Sequence, residues 1–373
     1  MAAAQVPALP GLLTEQDVRA TAATIAAVQE GSGAIPWFPG GHVDPWDHVE
    51  CAMALLAAGE TAAAERAYGW LLGTQRPDGS WPLRQAGGRV EDPGADTNMT
   101  AYVAVGVWHH WLVRNDERFL AAAWPMVRRA LDFAVDRQLA FGGIAWAEGA
   151  GGTAGSALLA GSSSVHHALR CGLAVAELVD QPQPDWEIAA GRLGHALRVH
   201  EELFEPKWRF AMDWYYPVLG GAVRGPAATD RIDRRWDDFV VPGLGIRCVD
   251  DHPWVTGAET CELVLALDAV GDRSRAGELL AAMQHLRDPD GSYWTGYVFA
   301  DRVRWPVERS TWTAAAVILA VDALSGSTPG SDIFRGSTLP SAASGLMLEC
   351  GCPTAPESAD RVAGVTAHPG QRP

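Results

Sequence analysis

A short marker that recurs along the chain constrains the fold more than any other feature of the sequence. Its clearest copy is the stretch RAYGWLLGTQRPDGSW, in which Gln75, Gly79 and Trp81 follow an apolar, helix-like segment. Related sets follow three other glutamines: Gln29, Gly33 and Trp37; Gln138, Gly142 and Trp146; and, at a longer spacing, Gln284, Gly291 and Trp294. Self-similarity of this kind indicates that one structural unit is used several times.

Each marker separates two segments that have the length and periodicity of helices. The segments before the markers are amphipathic, whereas those after them are richer in small and apolar residues. The amphipathic segments span 14–29, 61–75, 117–138, 186–203 and 273–286, the apolar ones 46–58, 96–112, 162–179, 215–223, 256–270 and 310–324, and a short charged one 229–239. The first kind suits an outer ring of helices that meets water, and the second an inner ring packed on both sides. We therefore predict an all-α protein, an α/α toroid of six helical hairpins, with almost no strand-like alternation.

The composition changes near the end of the last predicted helix. Beyond residue 325, Gly, Pro, Ser and Thr dominate and helical periodicity is lost. We predict a single toroid domain over residues 1–325 and a loosely held or disordered tail over residues 326–373.

The net charge and the pattern of cysteines restrict the kinds of molecule that this protein is expected to bind. A net charge of −16 over 373 residues argues against nucleic acid and anionic membrane surfaces as main partners. The first residues lack the pattern of a signal peptide, and no apolar run is long enough to span a bilayer. The six cysteines are scattered and match neither a disulfide framework nor a zinc site. We expect a cytoplasmic, reduced protein that acts on a small molecule without a metal or other cofactor.

The loops that lead into the inner helices carry the ionisable and aromatic side chains expected of a binding site. In a toroid these loops gather at one end of the central cavity. The candidate substrate-binding residues there are His42, Trp46, Asp47, Asp96, Asp213, Tyr216, Trp254, Arg302 and Trp305. An acid that opens a helix is also a good N-cap, and for Asp96 and Glu259 capping is an equal alternative. Capping does not require Trp or His, so it does not explain all the loops together.

The first marker resembles the QW repeat of squalene–hopene cyclases and related terpenoid cyclases. The matching residues are Arg66, Ala67, Trp70, Leu71, Gln75, Gly79 and Trp81. The toroid of this group is shared by protein prenyltransferases. In the cyclases the Gln and Trp tie one helix end to the next helix, so the repeat implies the fold and says little about the chemistry.

A second stretch resembles the acidic motif with which these cyclases protonate an alkene. It is Cys248-Val249-Asp250-Asp251-His252, with Cys248 where the family has an Asp. The resemblance implies that Asp250 donates the proton, that Asp251 polarises it and that His252 is a hydrogen-bond partner. Two adjacent carboxylates cannot both ionise cheaply, so one can stay protonated near neutral pH. The main expectation is acid-initiated chemistry on an isoprenoid; the alternative for this stretch is a solvated acidic turn.

Two other functions fit the same loops. A carbohydrate-active enzyme, either an inverting glycoside hydrolase or a lyase, needs two carboxylates across a sugar and Trp side chains as stacking platforms. Glu148 and Glu308, in the third and sixth loops, are the candidates for that pair. A non-catalytic binding toroid would use the acids as caps and the Trp side chains as structural contacts. The zinc of the prenyltransferases needs widely separated Asp, Cys and His ligands, which this sequence lacks.

Overall fold

The computed structural model describes residues 5–340 of the chain, mainly as α-helices. The helices are α1 (Glu15–Val28), α2 (Pro45–Ala57), α3 (Thr61–Thr74), α4 (Thr97–Ala101), α5 (Val103–Arg114), α6 (Glu117–Val135), α7 (Leu159–Leu178), α8 (Pro184–Val199), α9 (Ala211–Leu219), α10 (Pro226–Arg234), α11 (Trp236–Phe239), α12 (Gly257–Val270), α13 (Arg273–Ala282) and α14 (Thr311–Ser325). None of these helices is long and apolar enough to cross a membrane.

The helices form two concentric rings. The inner ring runs α2, α4–α5, α7, α9, α12 and α14, and it closes because α14 packs against α2. Each inner helix also packs against outer helices, which are α1, α3, α6, α8, α10–α11 and α13. The inner helices α12 and α14 are buried along nearly their whole lengths, as their apolar composition requires. The predicted α/α toroid is confirmed.

The recurring marker ties neighbouring hairpins together. The Gln75 side-chain amide donates to the carbonyls of Gly79 and Met126, at 2.9 Å each, and so joins the end of α3 to α6. Gln29 and Gln138 each make the equivalent two bonds, one to the glycine of the same marker and one to the next outer helix. Gly79 has φ +95°, and a Cβ there would lie 2.2 Å from the Arg129 carbonyl oxygen. The marker is therefore a structural clamp that carries no chemistry of its own.

Short antiparallel strands in the loops before the inner helices were not predicted from the sequence. They are β1 (Arg84–Ala86), β2 (Arg89–Asp92), β3 (Ala95–Asp96), β4 (Ala147–Gly149), β5 (Gly152–Thr153), β6 (Val240–Val241), β7 (Gly245–Arg247), β8 (Trp254–Thr256), β9 (Gly296–Val298) and β10 (Val303–Arg304). They pair as β1-β2, β3-β4-β5 and β10-β9-β8-β7-β6. Strands of two to four residues are too short to show an alternating pattern. They stiffen the rim at one end of the toroid, which we call the mouth.

The prediction of a loose tail from residue 326 onward is wrong for residues 326–340. This segment folds back over the end of the toroid opposite the mouth. Phe334 is buried and stacks on His167 with ring centroids 5.3 Å apart, and its carbonyl accepts a bond of 2.8 Å from Arg224. Sparse apolar residues without a helical period hid this packing. The rest of the predicted tail, residues 341–373, lies outside the described residues.

Candidate active site

Three carboxyl groups on inner helices lie buried around the toroid axis. Asp44 caps α2 by accepting from the backbone N–H groups of Trp46 and Asp47, at 3.0 and 2.9 Å. Asp47 and Glu50 follow three residues apart on one face of α2. Glu262 projects from α12, which is separated from α2 in the ring by α14. Asp47, Glu50 and Glu262 are only 5%, 2% and 1% exposed.

Tyrosine hydroxyls from two further inner helices hold these carboxyls. Tyr102, at the junction of α4 and α5, donates to Glu50 Oε1 at 2.5 Å. Tyr216 on α9 donates to Glu262 Oε1 at 2.6 Å, and Tyr215 donates to the other oxygen of the same carboxyl. The cluster thus joins α2, α4–α5, α9 and α12 around the axis.

Burial changes the protonation of all three carboxyls. It raises the pKa of Glu50 to about 7. The pKa of Glu262 is raised mainly by burial and further by the charge of Glu50. The pKa of Asp47 is also raised mainly by burial, and then by Asp44 and Glu50. Since three carboxylates in one dry site cannot all ionise cheaply, the cluster keeps a proton near neutral pH.

Several buried polar atoms on the inner helices have no hydrogen-bond partner among the described residues. They include Trp46 Nε1, Trp312 Nε1, Glu50 Oε2, Asn98 Oδ1, Thr100 Oγ1 and Ser164 Oγ, and further ones lie along α5 and α7 at Trp108, His109, His110, His166 and His167. Buried polar groups are almost always bonded, so a set of unbonded ones around one axis points to a polar ligand. This set includes donors and acceptors, which suits a hydroxylated molecule.

A continuous series of aromatic side chains lies beside the carboxyl cluster. The rings of Trp46 and Trp312 lie 5.6 Å apart, and Trp312 is 5.4 Å from Trp37. Trp37 in turn stacks on His42 at 5.6 Å. Burial lowers the pKa of His42, which keeps its ring neutral at neutral pH. Flat, partly covered rings beside carboxyl groups are suited to binding sugar faces.

The structure distributes the predicted binding residues over two layers. Trp46, Asp47 and Tyr216 lie at the carboxyl cluster, and His42 lies on the wall above it. Trp254, Arg302 and Trp305 lie in the mouth sheet of β6–β10 and its connections, where the rings of Trp254 and Trp305 are 5.1 Å apart.

Asp96 and Asp213 lie at the N-terminal ends of inner helices. Asp96 caps α4 by accepting from the Met99 N–H at 2.9 Å, as its capping alternative predicted. Asp213 lines a rim cleft of about 340 Å³ together with Trp208. Burial raises the pKa of each carboxyl to about 6.

The structure corrects the roles predicted for Asp250, Asp251 and His252. Asp250 is paired with Arg235 at 2.8 Å and with Arg209 at 3.6 Å. Asp251 is 57% exposed and binds Arg209 and His252. The bond from Arg209, followed by that from His252, lowers the pKa of Asp251. Both acids are therefore held in ion pairs within the rim, outside the carboxyl cluster of the inner helices.

Glu148 and Glu308 are also fixed within the rim and do not belong to the buried carboxyl cluster. Glu148, on β4, is paired with Arg137 at 3.2 Å and accepts from Thr153. Glu308 accepts from Trp37 Nε1 at 2.8 Å and from Thr295 Oγ1 at 3.1 Å. Each acid organises a loop of the rim, and the role of the two as a catalytic pair stays a prediction.

Glu50, Tyr102, Glu262 and Trp312 were not among the predicted site residues. Tyr102 and Glu262 lie within apolar helical segments, where a sequence pattern indicates core packing, whereas Glu50 and Trp312 lie in the first two turns of α2 and α14. A signal was present: an unpaired carboxylate in the interior of an apolar helix is costly unless it has a function or a partner. Among the described residues, no group of three or more His, Cys, Asp or Glu side chains is placed to hold a metal ion.

Comparison with known proteins identifies a relative that covers nearly the whole chain. The chain is 60% identical over 349 residues to a Mycolicibacterium hassiacum protein described as an MMP endo-(1,4)-3-O-methyl-alpha-D-mannosidase, and the match covers 94% of this chain and 97% of that protein. No protein-family model matches the chain.

Solved structures share the fold at much lower identity. A glycosidase variant in complex with glucose aligns with a TM-score of 0.69 at 16% identity, over 84% of this chain and 97% of that chain. An alpha-amylase from Clostridium perfringens aligns with a TM-score of 0.61 at 10% identity, over 84% of this chain and 99% of that chain. Similarity at this level shows the toroid alone.

These findings overturn the resemblance to terpenoid cyclases and prenyltransferases, because the extensive sequence match is to a glycosidase. The marker was misleading because its Gln and Gly residues clamp hairpins of a toroid, whatever reaction that toroid supports.

Proposed function

The chain belongs to the family of the Mycolicibacterium hassiacum endo-mannosidase, and from that premise we propose that it cleaves internal α-(1→4) bonds in chains of 3-O-methyl-D-mannose. It is an enzyme of the glycoside hydrolase class, the alternative reached from the sequence, and its substrate is a glycan. The main support for this proposal is the buried cluster of Asp47, Glu50 and Glu262. It supplies acid and base groups next to the tryptophan rings of Trp46 and Trp312.

We assign the general acid to Asp47. Burial, the neighbouring Asp44 and the charge of Glu50 all raise the pKa of Asp47, which favours the protonated form that a general acid needs. Its position in the first turn of α2 puts it next to Trp46, whose ring lies 5.6 Å from Trp312. A sugar stacked on this wall has its glycosidic oxygen beside a protonated carboxyl.

We assign the general base to Glu262. Both of its oxygens accept phenolic hydrogen bonds, from Tyr215 and Tyr216, and bonds of this kind favour the ionised carboxylate. Burial opposes them and keeps the pKa of Glu262 raised, which gives the carboxylate the basicity that proton removal from water requires.

We propose that hydrolysis proceeds with inversion. Asp47 and Glu262 come from α2 and α12, which are not adjacent because α14 lies between them. Two carboxyls on separated walls leave room for a sugar and a water molecule, and inverting enzymes hold them about 6.5–9.5 Å apart. Asp47 gives its proton to the departing glycosidic oxygen as the bond from that oxygen to C1 breaks. Glu262 takes a proton from the water whose oxygen bonds to C1 from the opposite face.

Activity of single variants tests these assignments. Asp47→Asn and Glu262→Gln keep the side-chain shapes but cannot transfer the proton, so each should lower kcat on a methylated α-(1→4)-mannooligosaccharide by about 10²–10⁴-fold. Asp251→Asn is the matched control, because Asp251 is an exposed carboxylate of the rim. Normal activity of Asp47→Asn or Glu262→Gln, or an equal loss in Asp251→Asn, would contradict the assignment.

A further inference from the structure

The exposed aromatic side chains of the described surface are gathered at the mouth. Those exposed over more than a third of their area are Trp146 at 39%, Trp208 at 61%, Phe210 at 44% and Trp305 at 51%. Each lies in a loop that leads into an inner helix. Exposed aromatic groups confined to the entrance of a site indicate contacts with a ligand that extends beyond the cavity.

One part of the mouth is apolar as well as aromatic. Residues 303–307, which we call the apolar flap, follow β9 and lead toward α14. Val303, Trp305 and Val307 are 48%, 51% and 86% exposed. Leaving this much apolar surface in water is unfavourable, and the body of the protein does not cover it.

The apolar flap is held in place by hydrogen bonds. The Trp305 N–H donates to the Gly296 carbonyl at 3.0 Å, and Trp254 Nε1 donates to the Trp305 carbonyl at 2.9 Å. β10 pairs with β9 through Val303 and Val298. A tethered flap presents its apolar side chains in a fixed arrangement, so a ligand meets them without first ordering the loop.

The apolar flap continues into the wall of the carboxyl cluster. Glu308, the next residue along the chain, accepts from Trp37 at 2.8 Å. Trp37 packs on Trp312 at 5.4 Å, and Trp312 packs on Trp46 at 5.6 Å. An unbroken series of contacts therefore connects the exposed flap with the residue that precedes Asp47.

We propose that the apolar flap binds the O-methyl groups of the glycan outside the cleavage site and thereby selects methylated over unmethylated mannan. A 3-O-methyl group removes a hydrogen-bond donor from the sugar and adds an apolar surface, for which Val303 and Val307 are suitable partners. Burying one such group is worth about fourfold in affinity. Trp305 adds a ring on which a sugar face can stack. This inference rests on the proposed function.

The test compares two oligosaccharides of equal length, an α-(1→4)-mannooligosaccharide with and without 3-O-methyl groups. Val307→Ser should lower kcat/KM on the methylated chain about fourfold, through KM, and leave the unmethylated chain unchanged. Trp305→Ala should lower kcat/KM on both chains by about tenfold or less. The matched control is Ile188→Ser, which alters an accessible β-branched residue, 42% exposed, on the outer helix α8.

Failure of this inference is separable from failure of the proposed function. Cleavage of either chain by the wild-type protein tests the function. Equal effects of Val307→Ser on the two chains, or no effect on either, overturn the role of the flap. Calorimetric titration of each chain into the wild-type protein at low temperature, and into Val307→Ser, gives the same comparison from binding alone. If Val307→Ser reduces the preference in affinity for the methylated chain, the proposed role of the flap is supported. If that preference is unchanged, the role is overturned, even when no cleavage occurs.

Discussion

Replacing Glu50 by Gln measures how much the ionisation of one buried carboxyl group destabilises the folded protein. Burial raises the pKa of Glu50 from its ordinary 4.5 to about 7. Below the lower value the carboxyl is protonated in both the folded and unfolded chain, so pH has no effect through this group. Between the two values only the unfolded chain releases the proton, and the free energy of unfolding falls as pH rises. Above about pH 7 the free energy of unfolding is lowered by the full amount.

The size of this effect follows from the two pKa values of Glu50. At 1.36 kcal/mol per pKa unit, the difference costs the folded state about 3 kcal/mol. The amide that Glu50→Gln introduces keeps an acceptor for the hydroxyl of Tyr102 and cannot ionise. We therefore expect the free energy of unfolding of Glu50→Gln, relative to wild type, to rise by about 3 kcal/mol between pH 4.5 and pH 8.

Urea unfolding followed by tryptophan fluorescence and circular dichroism, repeated across this pH range, measures the difference. Glu65→Gln is the control, because Glu65 is exposed on the outer helix α3. Removing the Glu50 charge also lowers the pKa values of Asp47 and Glu262, which adds to the difference in the same direction, and the remaining titrating groups are common to both proteins. If the free energy of unfolding of Glu50→Gln relative to wild type depends on pH no more than that of Glu65→Gln, the raised pKa of Glu50 is contradicted.

Three further outcomes are expected. Trp81→Ala removes a fully buried ring that donates to the Leu71 carbonyl at 3.2 Å, so thermal and urea unfolding should show a loss of about 3–5 kcal/mol; a loss below about 1 kcal/mol would contradict the packing. A chain ending at Ser325 should be markedly less stable than one ending at Pro340, because the shorter chain lacks the segment that packs on the toroid; equal melting temperatures would contradict this. Tyr216→Phe removes one donor to Glu262, so kcat should fall about tenfold and the acidic limb of its pH profile should move to higher pH; an unshifted limb would contradict the role of that bond.

The fold was predictable because its information is local and repeated. Gln75, Gly79 and their equivalents mark the ends of four outer helices, three of them at the same Gln-to-Gly spacing, and the contrast between amphipathic and apolar segments separates the outer ring from the inner one. The elements that the sequence did not predict have no repeated or periodic pattern. The strands of the mouth are too short to alternate, and Phe334 is one of few apolar residues in a segment rich in Gly and Ser.

The site was only partly predictable because it depends on contacts between distant parts of the chain. Trp46, Asp47 and Tyr216, which the structure places at the carboxyl cluster, were predicted as binding residues because they lie in polar and aromatic stretches that lead into inner helices. Glu50 and Glu262 come together only when the ring closes, and no local pattern encodes their interaction.

In the acidic stretch at Asp250, by contrast, the sequence predicted a catalytic role from residues that are adjacent in the chain. Adjacency to Asp251 suggested two coupled acids, whereas Arg209 and Arg235 approach from elsewhere in the sequence and pair with them. Charge partners that fold in from a distance decide whether neighbouring acids hold a proton.

The configuration of the first product distinguishes inversion from retention at the proposed site. Proton NMR of the wild-type protein acting on a 3-O-methylated α-(1→4)-mannooligosaccharide resolves the anomeric signals before mutarotation mixes them. We expect internal cleavage, with the β-anomer at the new reducing end appearing first, because Asp47 and Glu262 act from opposite sides of the bond. Initial release of the α-anomer would contradict the assigned mechanism, and an uncut chain would contradict the proposed function itself.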